Sequence, residues 1–382
     1  MLIVKCPRCV SHEKLQVKFQ FFDLTFVTLL CLWFGLWWSM HDVSLSATTQ
    51  LPATKAVMEA LSSQMKAGTW AELDSTSFNN GDMLKVDSAI DYITQYADSA
   101  AWDPIAKRFL FMGQAHGMGS GARFVIYTDS DNTWRKGPLP LSCLGEPYSS
   151  CIGHAYDHNT IDPTTGDLYY RHYHGTTIYR YSAGSWSQLT DAPANVVRLI
   201  GTCCAAIEYF PEMGGLIVVA GGLGEVAIFN KQTNQWSQLA AGLQMGPYSN
   251  FIEYNPVHKV VIFGGGNTSD VYKLDSSGRI TKMKNAPVSL GIQRSLVSVD
   301  PVSGKYLVLS DQGRFYEYDI TADSWRTLNL PPFWGSTFVG TGSIDGVIEA
   351  PVTTYGVVMY VVYNYGQSKV YLYKHAAGGK KT

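Results

Sequence analysis

The chain has few charged residues, and the two signs nearly cancel. Charged side chains make up 16% of the 382 residues, and 29 Lys and Arg stand against 31 Asp and Glu. No long basic stripe is present, so the electrostatic footprint of a nucleic-acid-binding protein is missing and no such partner is expected. Aromatic residues reach 13%, and glycine contributes 36 residues. This balance is typical of a β-rich protein with many tight turns.

Cysteine pairs with the spacing of metal ligands are almost absent. Residues 6–9 form one CPRC motif, and a zinc ribbon needs a second such pair. We therefore predict no metal site and no cofactor. Cys143 and Cys151 flank a short loop, where a disulfide would form if the domain lies outside the cytoplasm. Cys203 and Cys204 are expected to be small buried side chains of an inner strand.

A motif that ends in tryptophan recurs along the chain. Each unit has a hydrophobic run, a Gly-rich turn, a Tyr- or Phe-rich run and a polar turn that closes on Trp, or once on Ile. The closing positions are Trp70, Trp134, Trp186, Trp236, Ile280 and Trp325. A period of roughly 40–50 residues is the signature of propeller blades. Short β-branched and aromatic runs between turn residues predict four strands in each unit.

Two incomplete units stand at opposite ends of this array. GTWAEL, at residues 68–73, is a Trp strand with no three strands before it, whereas only three strands follow Trp325. We therefore predict that residues 69–73 complete the last blade by pairing with residues 369–374. Such pairing closes the ring and removes an open sheet edge. The predicted fold class is an all-β, six-bladed β-propeller of four-stranded blades.

A long apolar run lies in the N-terminal region. Residues 24–40 carry no charge, and basic residues dominate the segment before them. This order is typical of a signal anchor or a cleaved signal peptide, and a buried extension or a start at Met40 is the remaining alternative. A signal anchor would attach the protein to a membrane and place the propeller in an extracellular or periplasmic location. The predicted segments are an anchor or signal with its linker, a short helix at about 53–66 with its connector, the propeller, and a tail, at residues 1–48, 49–68, 69–376 and 377–382.

Glycine pairs and aromatic residues at fixed places in the repeat point to a known family. The glycines that follow the second strand and the aromatic residues of the third strand are Gly221, Gly222, Gly264, Gly265, Gly266, Phe229, Tyr272 and Tyr316. Over about residues 69–375 the chain resembles kelch-type propellers, which include the central domain of galactose-oxidase-like proteins. Blades one, two and six lack the double glycine. The resemblance implies the fold and no single activity, because propellers host unrelated functions.

Histidine, arginine and aromatic residues gather on one predicted face. In a propeller, the loops from strand two to three and from strand four to the next blade open on the same side, here called the mouth face. The candidate catalytic residues there are His154, Tyr248 and Arg198, and the candidate binding residues are His116, His172, His174, Arg294 and Trp334. Aromatic rings can stack on a sugar, and His and Arg can bind its hydroxyl groups or a carboxylate. Histidines that only cap loop carbonyls explain the same pattern.

One segment of the mouth face has a second resemblance. Residues 153–171 resemble inner-strand segments of secreted propeller polysaccharide lyases. That resemblance implies His154 and Tyr248 as acid and base, and Arg198 as the group that neutralises a uronate carboxylate. Three functions therefore stay open. We expect an exported or membrane-anchored module that binds a glycan or a protein at its mouth; a lyase and a structural component of a cell-surface or virion assembly are the alternatives.

Overall fold

Six sheets, each of four antiparallel strands, form the β-propeller. The structure is a computed structural model that describes residues 56–86, 92–115, 121–140, 143, 153–173, 175–190, 192–335 and 344–377. Five sheets take their strands consecutively, and the sixth joins the first described strand to the last three. The predicted all-β, six-bladed fold is therefore confirmed.

The first three blades follow one another along the chain. Strand β1, at Thr69–Glu72, precedes them and belongs to the last blade. Blade one contains β2–β5, at Ala101–Asp103, Arg108–Gln114, Ala122–Thr128 and Thr133–Lys136. Blade two contains β6–β9, at Asn159–Asp162, Asp167–Arg171, Ile178–Ser182 and Ser185–Gln188. Blade three contains β10–β13, at Ala206–Phe210, Gly215–Ala220, Glu225–Asn230 and Gln235–Ala240.

The last three blades repeat this arrangement. Blade four contains β14–β17, at Asn250–Asn255, Val260–Gly265, Val271–Asp275 and Ile280–Lys282. Blade five contains β18–β21, at Ser295–Val299, Tyr306–Ser310, Arg314–Asp319 and Ser324–Leu328. Blade six contains β22–β24, at Val347–Val352, Val357–Val362 and Lys369–Lys374, together with β1. The innermost strands β2, β6, β10, β14, β18 and β22 adjoin one another in a closed ring around the central channel.

Two α-helices lie outside the sheets. Helix α1, at Val57–Gln64, falls within the short helix predicted at about 53–66. Helix α2, at Ala194–Ile200, was not predicted and lies in the connection from blade two to blade three, with Val196, Leu199 and Ile200 buried. Among the helices that the structure describes, none has the length and apolarity needed to cross a membrane. The apolar run at 24–40 lies outside the described residues.

Strand β1 closes the ring in the predicted register. It runs antiparallel to β24 and places Trp70 opposite Tyr373. The Trp70 ring stacks on Tyr373 with 4.4 Å between centroids. It also packs against Phe333 at 5.6 Å and against Phe315 of blade five at 6.1 Å. Trp70 therefore joins blade six internally and also ties it to its neighbour.

The recurring tryptophan has the same partner position in every blade. Each fourth-strand residue of the motif faces a third-strand side chain directly across the ladder. These pairs are Trp70–Tyr373, Trp134–Tyr127, Trp186–Tyr181, Trp236–Phe229, Ile280–Leu274 and Trp325–Tyr318. Cross-strand pairs of this kind stabilise a sheet by about 0.2–1 kcal/mol each. The motif that defines the repeat in the sequence is thus the contact that holds each outer strand.

Removal of the Trp70 ring should destabilise the propeller more than removal of an equivalent ring elsewhere. Trp70→Ala is expected to lower the free energy of unfolding by about 3 kcal/mol, because a large aromatic packing site is lost. The matched control is Trp325→Ala, whose ring stacks on Tyr318 within blade five at 4.5 Å between centroids. Urea unfolding followed by circular dichroism measures both variants. Equal losses would show that the closing strand adds no special stability.

Candidate functional site

His154 lies in the connection between blades one and two, on the mouth face. The side chain is 8% exposed. Three tyrosine rings surround it, and the centroid distances are 4.1 Å to Tyr96, 4.9 Å to Tyr156 and 5.3 Å to Tyr173. Tilted and edge-to-face packing of this kind restrains the orientation of an imidazole. These four residues are called the tyrosine cluster below.

The backbone of the tyrosine cluster is strained. Tyr96 and Tyr156 have φ angles of 52° and 35°, in the left-handed region that bulky residues rarely adopt. The Tyr156 amide donates to the Tyr96 carbonyl at 2.7 Å, and a parallel bridge joins Ala97 to Tyr156. These contacts hold both tyrosines in place in spite of the strain. Strain of this kind is concentrated at ligand-binding sites in many proteins.

Two further predicted residues lie near this cluster. Tyr248 is 59% exposed, and it is close enough to Tyr156 to contribute to the raised pKa of that phenol, of which burial is the main cause. His172 follows the end of β7, and both His172 and His154 lie close enough to the buried His158 to affect its pKa. Burial is the main cause that holds the pKa of His158 well below its usual value, and the nearby charges of Arg171, His172 and His154 lower it further. His116 and His174 lie outside the described residues, so their places in the proposed mouth stay predictions.

The two predicted arginines are already paired with acids. Nη2 of Arg198, on α2, donates to both carboxylate oxygens of Glu225 at 2.7 and 2.8 Å. Nη1 of Arg294 contacts Asp311 at 2.9 Å. Both arginine side chains are about half exposed, at 52% and 54%. They retain solvent-facing surface, but their charge is largely balanced.

Trp334 makes its contacts away from the tyrosine cluster. It lines a cavity of about 260 Å³ together with Phe333, Asn364 and Gln367. That cavity belongs to blade six and the connection before it. The structure therefore groups His154, His172 and Tyr248, and places Trp334 at a separate position.

Arg171, which the sequence analysis did not select, is fully buried at the end of β7. Its guanidinium donates to five main-chain carbonyls at 2.7–3.1 Å, those of His172, Ile200, Thr202, Cys203 and Ala205. Burial lowers the pKa of Arg171 to about 9, so the group stays charged at neutral pH. This network fixes the segment between α2 and β10. A single arginine in a strand pattern carries no signal that it will be enclosed in this way.

Two disulfide findings concern predicted cysteine positions. Cys203 and Cys204 lie just before β10 and are bonded to each other, so the expectation of two small buried side chains within an inner strand is wrong. Cys143 is also disulfide-bonded. Cys151 lies outside the described residues, so the predicted pairing of Cys143 with Cys151 stays a prediction.

Five carboxyl groups line the central channel. They are contributed by the innermost strands or by the residues just before them, and they are Asp98, Asp157, Glu208, Glu253 and Glu349. Thr160 donates to Glu208 at 2.8 Å, and Ser298, which blade five supplies, donates to Glu349 at 2.5 Å. The ion pairs that the described residues form include none of the five. The channel is therefore acidic without a matching basic group in the described structure.

Burial raises the pKa of every carboxyl group in this set. The pKa of Asp98 rises to about 7 and that of Glu208 to about 8. Burial, together with repulsion between neighbouring carboxylates, raises the pKa values of Asp157 and Glu253 well above the usual range. Glu349 shifts in the same direction for the same causes. The channel therefore holds protons at neutral pH that exposed carboxylates would release.

A sequence signal for these acids was present. Glu208 and Glu253 stand three residues before Pro211 and Pro256, in the repeated segments IEYFP and IEYNP. Ser298 occupies the same place in VSVDP. The proline marks the turn after the innermost strand, so this position recurs at one level of the channel. The proline marks a turn in the sequence, but an acid three residues before it has no local pattern that predicts burial.

A cavity of about 340 Å³ occupies the end of the channel opposite the mouth face. Glu208 and Glu253 lie in its wall beside the apolar side chains of Trp102, Ile161 and Tyr254. Prolines from the turns between first and second strands complete the wall. None of the described mouth-face candidates lines this cavity. No group of three or more described His, Cys, Asp or Glu side chains is arranged to hold a metal ion.

Solved structures with a similar fold share little sequence with this chain. A protein of unknown function from Bacteroides thetaiotaomicron VPI-5482 is 11% identical with a TM-score of 0.50, and the match covers 80% of this chain and 75% of that one. Virginiamycin B lyase from Staphylococcus aureus is 12% identical with a TM-score of 0.48, over 80% and 98% of the two chains. A chain of the nidogen/laminin complex is 11% identical with a TM-score of 0.44, over 62% and 81%. The first similarity supports the propeller fold and nothing beyond it. The other two structures are too distant to support a conclusion.

No family model and no curated protein matches the sequence. The kelch-type resemblance therefore rests on the residues quoted above. The fold is consistent with a binding module, and propellers of this kind serve unrelated functions.

As the pH rises from about 5 to about 8, the buried channel acids should make stability fall. In this range the folded protein keeps carboxyl protons that the unfolded chain has lost, because the pKa of Asp98 is about 7 and that of Glu208 is about 8, so each further rise in pH favours unfolding. Each such carboxyl group contributes up to about 1.4 kcal/mol per pH unit.

Glu208→Gln tests this effect, because it removes one titrating group and keeps an oxygen that accepts from Thr160. We expect a shallower decline of the melting temperature with pH in this variant than in the wild type. Glu72→Gln is the control, since Glu72 is an exposed partner of Lys369 outside the channel. Identical pH profiles for Glu208→Gln and the wild type would contradict the prediction.

Proposed function

We propose that the protein is a binding module that takes a glycan at its mouth face. The observation that carries the proposal is the strained tyrosine cluster around His154, with the exposed Tyr248 beside it. Tyrosine combines an apolar ring with a polar hydroxyl, which suits the faces and hydroxyl groups of a sugar. A rigid backbone also lowers the entropy lost on binding.

The charges at the mouth favour a neutral glycan over an acidic one. Arg198 and Arg294 are the described mouth-face candidates that carry a full positive charge, and each is paired with an acid at 2.9 Å or less. A uronate carboxylate would have to compete with Glu225 or Asp311 for these groups. The remaining N–H donors of the half-exposed arginines still suit sugar hydroxyls.

The proposal includes an exported or membrane-anchored location. The apolar run at residues 24–40 and the basic residues before it support this placement. The disulfide-bonded Cys143, Cys203 and Cys204 also support it, because disulfides persist in oxidising compartments. Protease treatment of intact cells is the test. Cleavage of the propeller outside the cell is expected, and a fully protected soluble pool would rule the location out.

Tyr248→Ala should weaken glycan binding, because the exposed ring is lost while the fold has little need of it. We expect at least a roughly tenfold rise in Kd, which corresponds to about 1.4 kcal/mol. A glycan array screened with the wild type selects the sugar, and calorimetry then measures the variants. The control is Ile105→Ala, since Ile105 is 58% exposed and lies in the turn between β2 and β3, on the face opposite the mouth. A similar loss in both variants, or none in Tyr248→Ala, would contradict the mouth site.

A polysaccharide lyase is the second candidate function. It is favoured by the enclosure of His154 among three tyrosines, because that cluster holds the acid and base types that β-elimination needs. The paired state of Arg198 argues against it. Incubation with uronate polymers, followed by ultraviolet detection of unsaturated products, separates the two functions. We expect no product; product formation that His154→Ala abolishes would replace the binding proposal with the enzyme.

The remaining alternatives are a protein ligand at the mouth and a structural place in a cell-surface or virion assembly. Both predict that the protein binds no sugar on the glycan array. If one defined protein partner is then captured and Tyr248→Ala weakens its binding, the mouth face is a protein-binding site.

A further inference from the structure

The cavity opposite the mouth face combines an apolar wall with an acidic end. Trp102, Ile161 and Tyr254 form part of its wall, and its volume of about 340 Å³ lies in the range of small-molecule sites. Glu208 and Glu253 reach the same wall. We propose that this cavity binds an organic cation, a ligand with a small aromatic or apolar body and one ammonium group.

The carboxyl groups behind the cavity favour a cationic ligand. Asp98, Asp157 and Glu349 continue the carboxyl-lined channel, and no basic side chain of the described residues forms an ion pair with them. Oε1 of Glu349 is buried and has no hydrogen-bond partner among the described residues. Isolated buried carboxylates are costly, and an ammonium group would offset that cost.

The lining of the cavity suits an organic cation better than a metal ion. The carboxyl groups come from different blades, and no three of the described acidic, His or Cys side chains converge as metal ligands do. A hard cation such as Ca²⁺ needs six to eight oxygen ligands around one point. The wall of the cavity instead offers aromatic and aliphatic surface. Aromatic faces attract ammonium groups as well as apolar ones.

The raised pKa values of Asp98 and Glu208 agree with this proposal. A bound cation would favour the ionised carboxyl groups and lower those pKa values, so binding should be coupled to proton release. The site shares no described residue with the tyrosine cluster. It therefore stands independently of the glycan proposal.

The decisive experiment compares a cationic probe with its neutral counterpart. Phenethylammonium and phenethyl alcohol have nearly the same shape, and calorimetry on the whole protein at mildly alkaline pH measures both. We expect the cation to bind at least about tenfold more tightly than the alcohol. Glu208→Gln and Glu253→Gln should each lower the affinity for the cation by about tenfold or more and leave the affinity for the alcohol unchanged. Glu72→Gln and Tyr248→Ala are the controls and should alter neither.

Three results would overturn the proposal. Equal affinity for both probes would reduce the site to an apolar pocket, and failure of both to bind would remove the site. Binding of CaCl₂ that Glu208→Gln abolishes, with no binding of phenethylammonium, would identify a metal site instead. Circular dichroism melts of the two Gln variants show whether they are folded, and the comparison of probes on the wild type is decisive without them.

Discussion

The pairing of β1 with β24 is the contact on which the remaining structure depends. A ring of six sheets is stable only if the last sheet is complete, because an open strand edge leaves unpaired backbone groups. Trp70 strengthens that contact by packing on Tyr373 and reaching Phe315 in blade five. The closure brings the innermost strands β2 and β22 side by side. The positions of the side chains that face the central channel follow from this geometry.

Closure also determines the electrostatics of the interior. Glu208, Glu253 and Glu349 stand on separate blades, and only the ring brings them within reach of one another. Burial then disfavours their charged forms, and mutual repulsion adds to the effect. The protein keeps these acids although apolar residues would pack there at lower cost. The two ends of the channel consequently differ, with tyrosines and a histidine at the mouth face and glutamates in an apolar cavity at the other end.

Much of the fold was predictable because the repeat is written in local patterns. The Trp positions, the turn prolines and the missing fourth strand of the last unit predicted six blades and the register of β1. Helix α2 was missed because it lies in a connection with no repeat counterpart. The site was less accessible to the same reasoning. The sequence grouped His154, His172 and Tyr248 by loop position, but it did not show that Arg198 and Arg294 are paired with Glu225 and Asp311.

The sequence by itself determined the blade count and the pairing of most outer Trp strands, since these depend on contacts between neighbours along the chain. It also determined the closing strand, because the first and last units of the repeat are incomplete in complementary ways. Only the tertiary structure decided which polar side chains meet. The carbonyls around Arg171, the tyrosines around His154 and the carboxyl groups of the channel each come from separate connections or separate blades. Their distances are set by ring closure and by the twist of each sheet, and neither quantity is contained in any local pattern of residues.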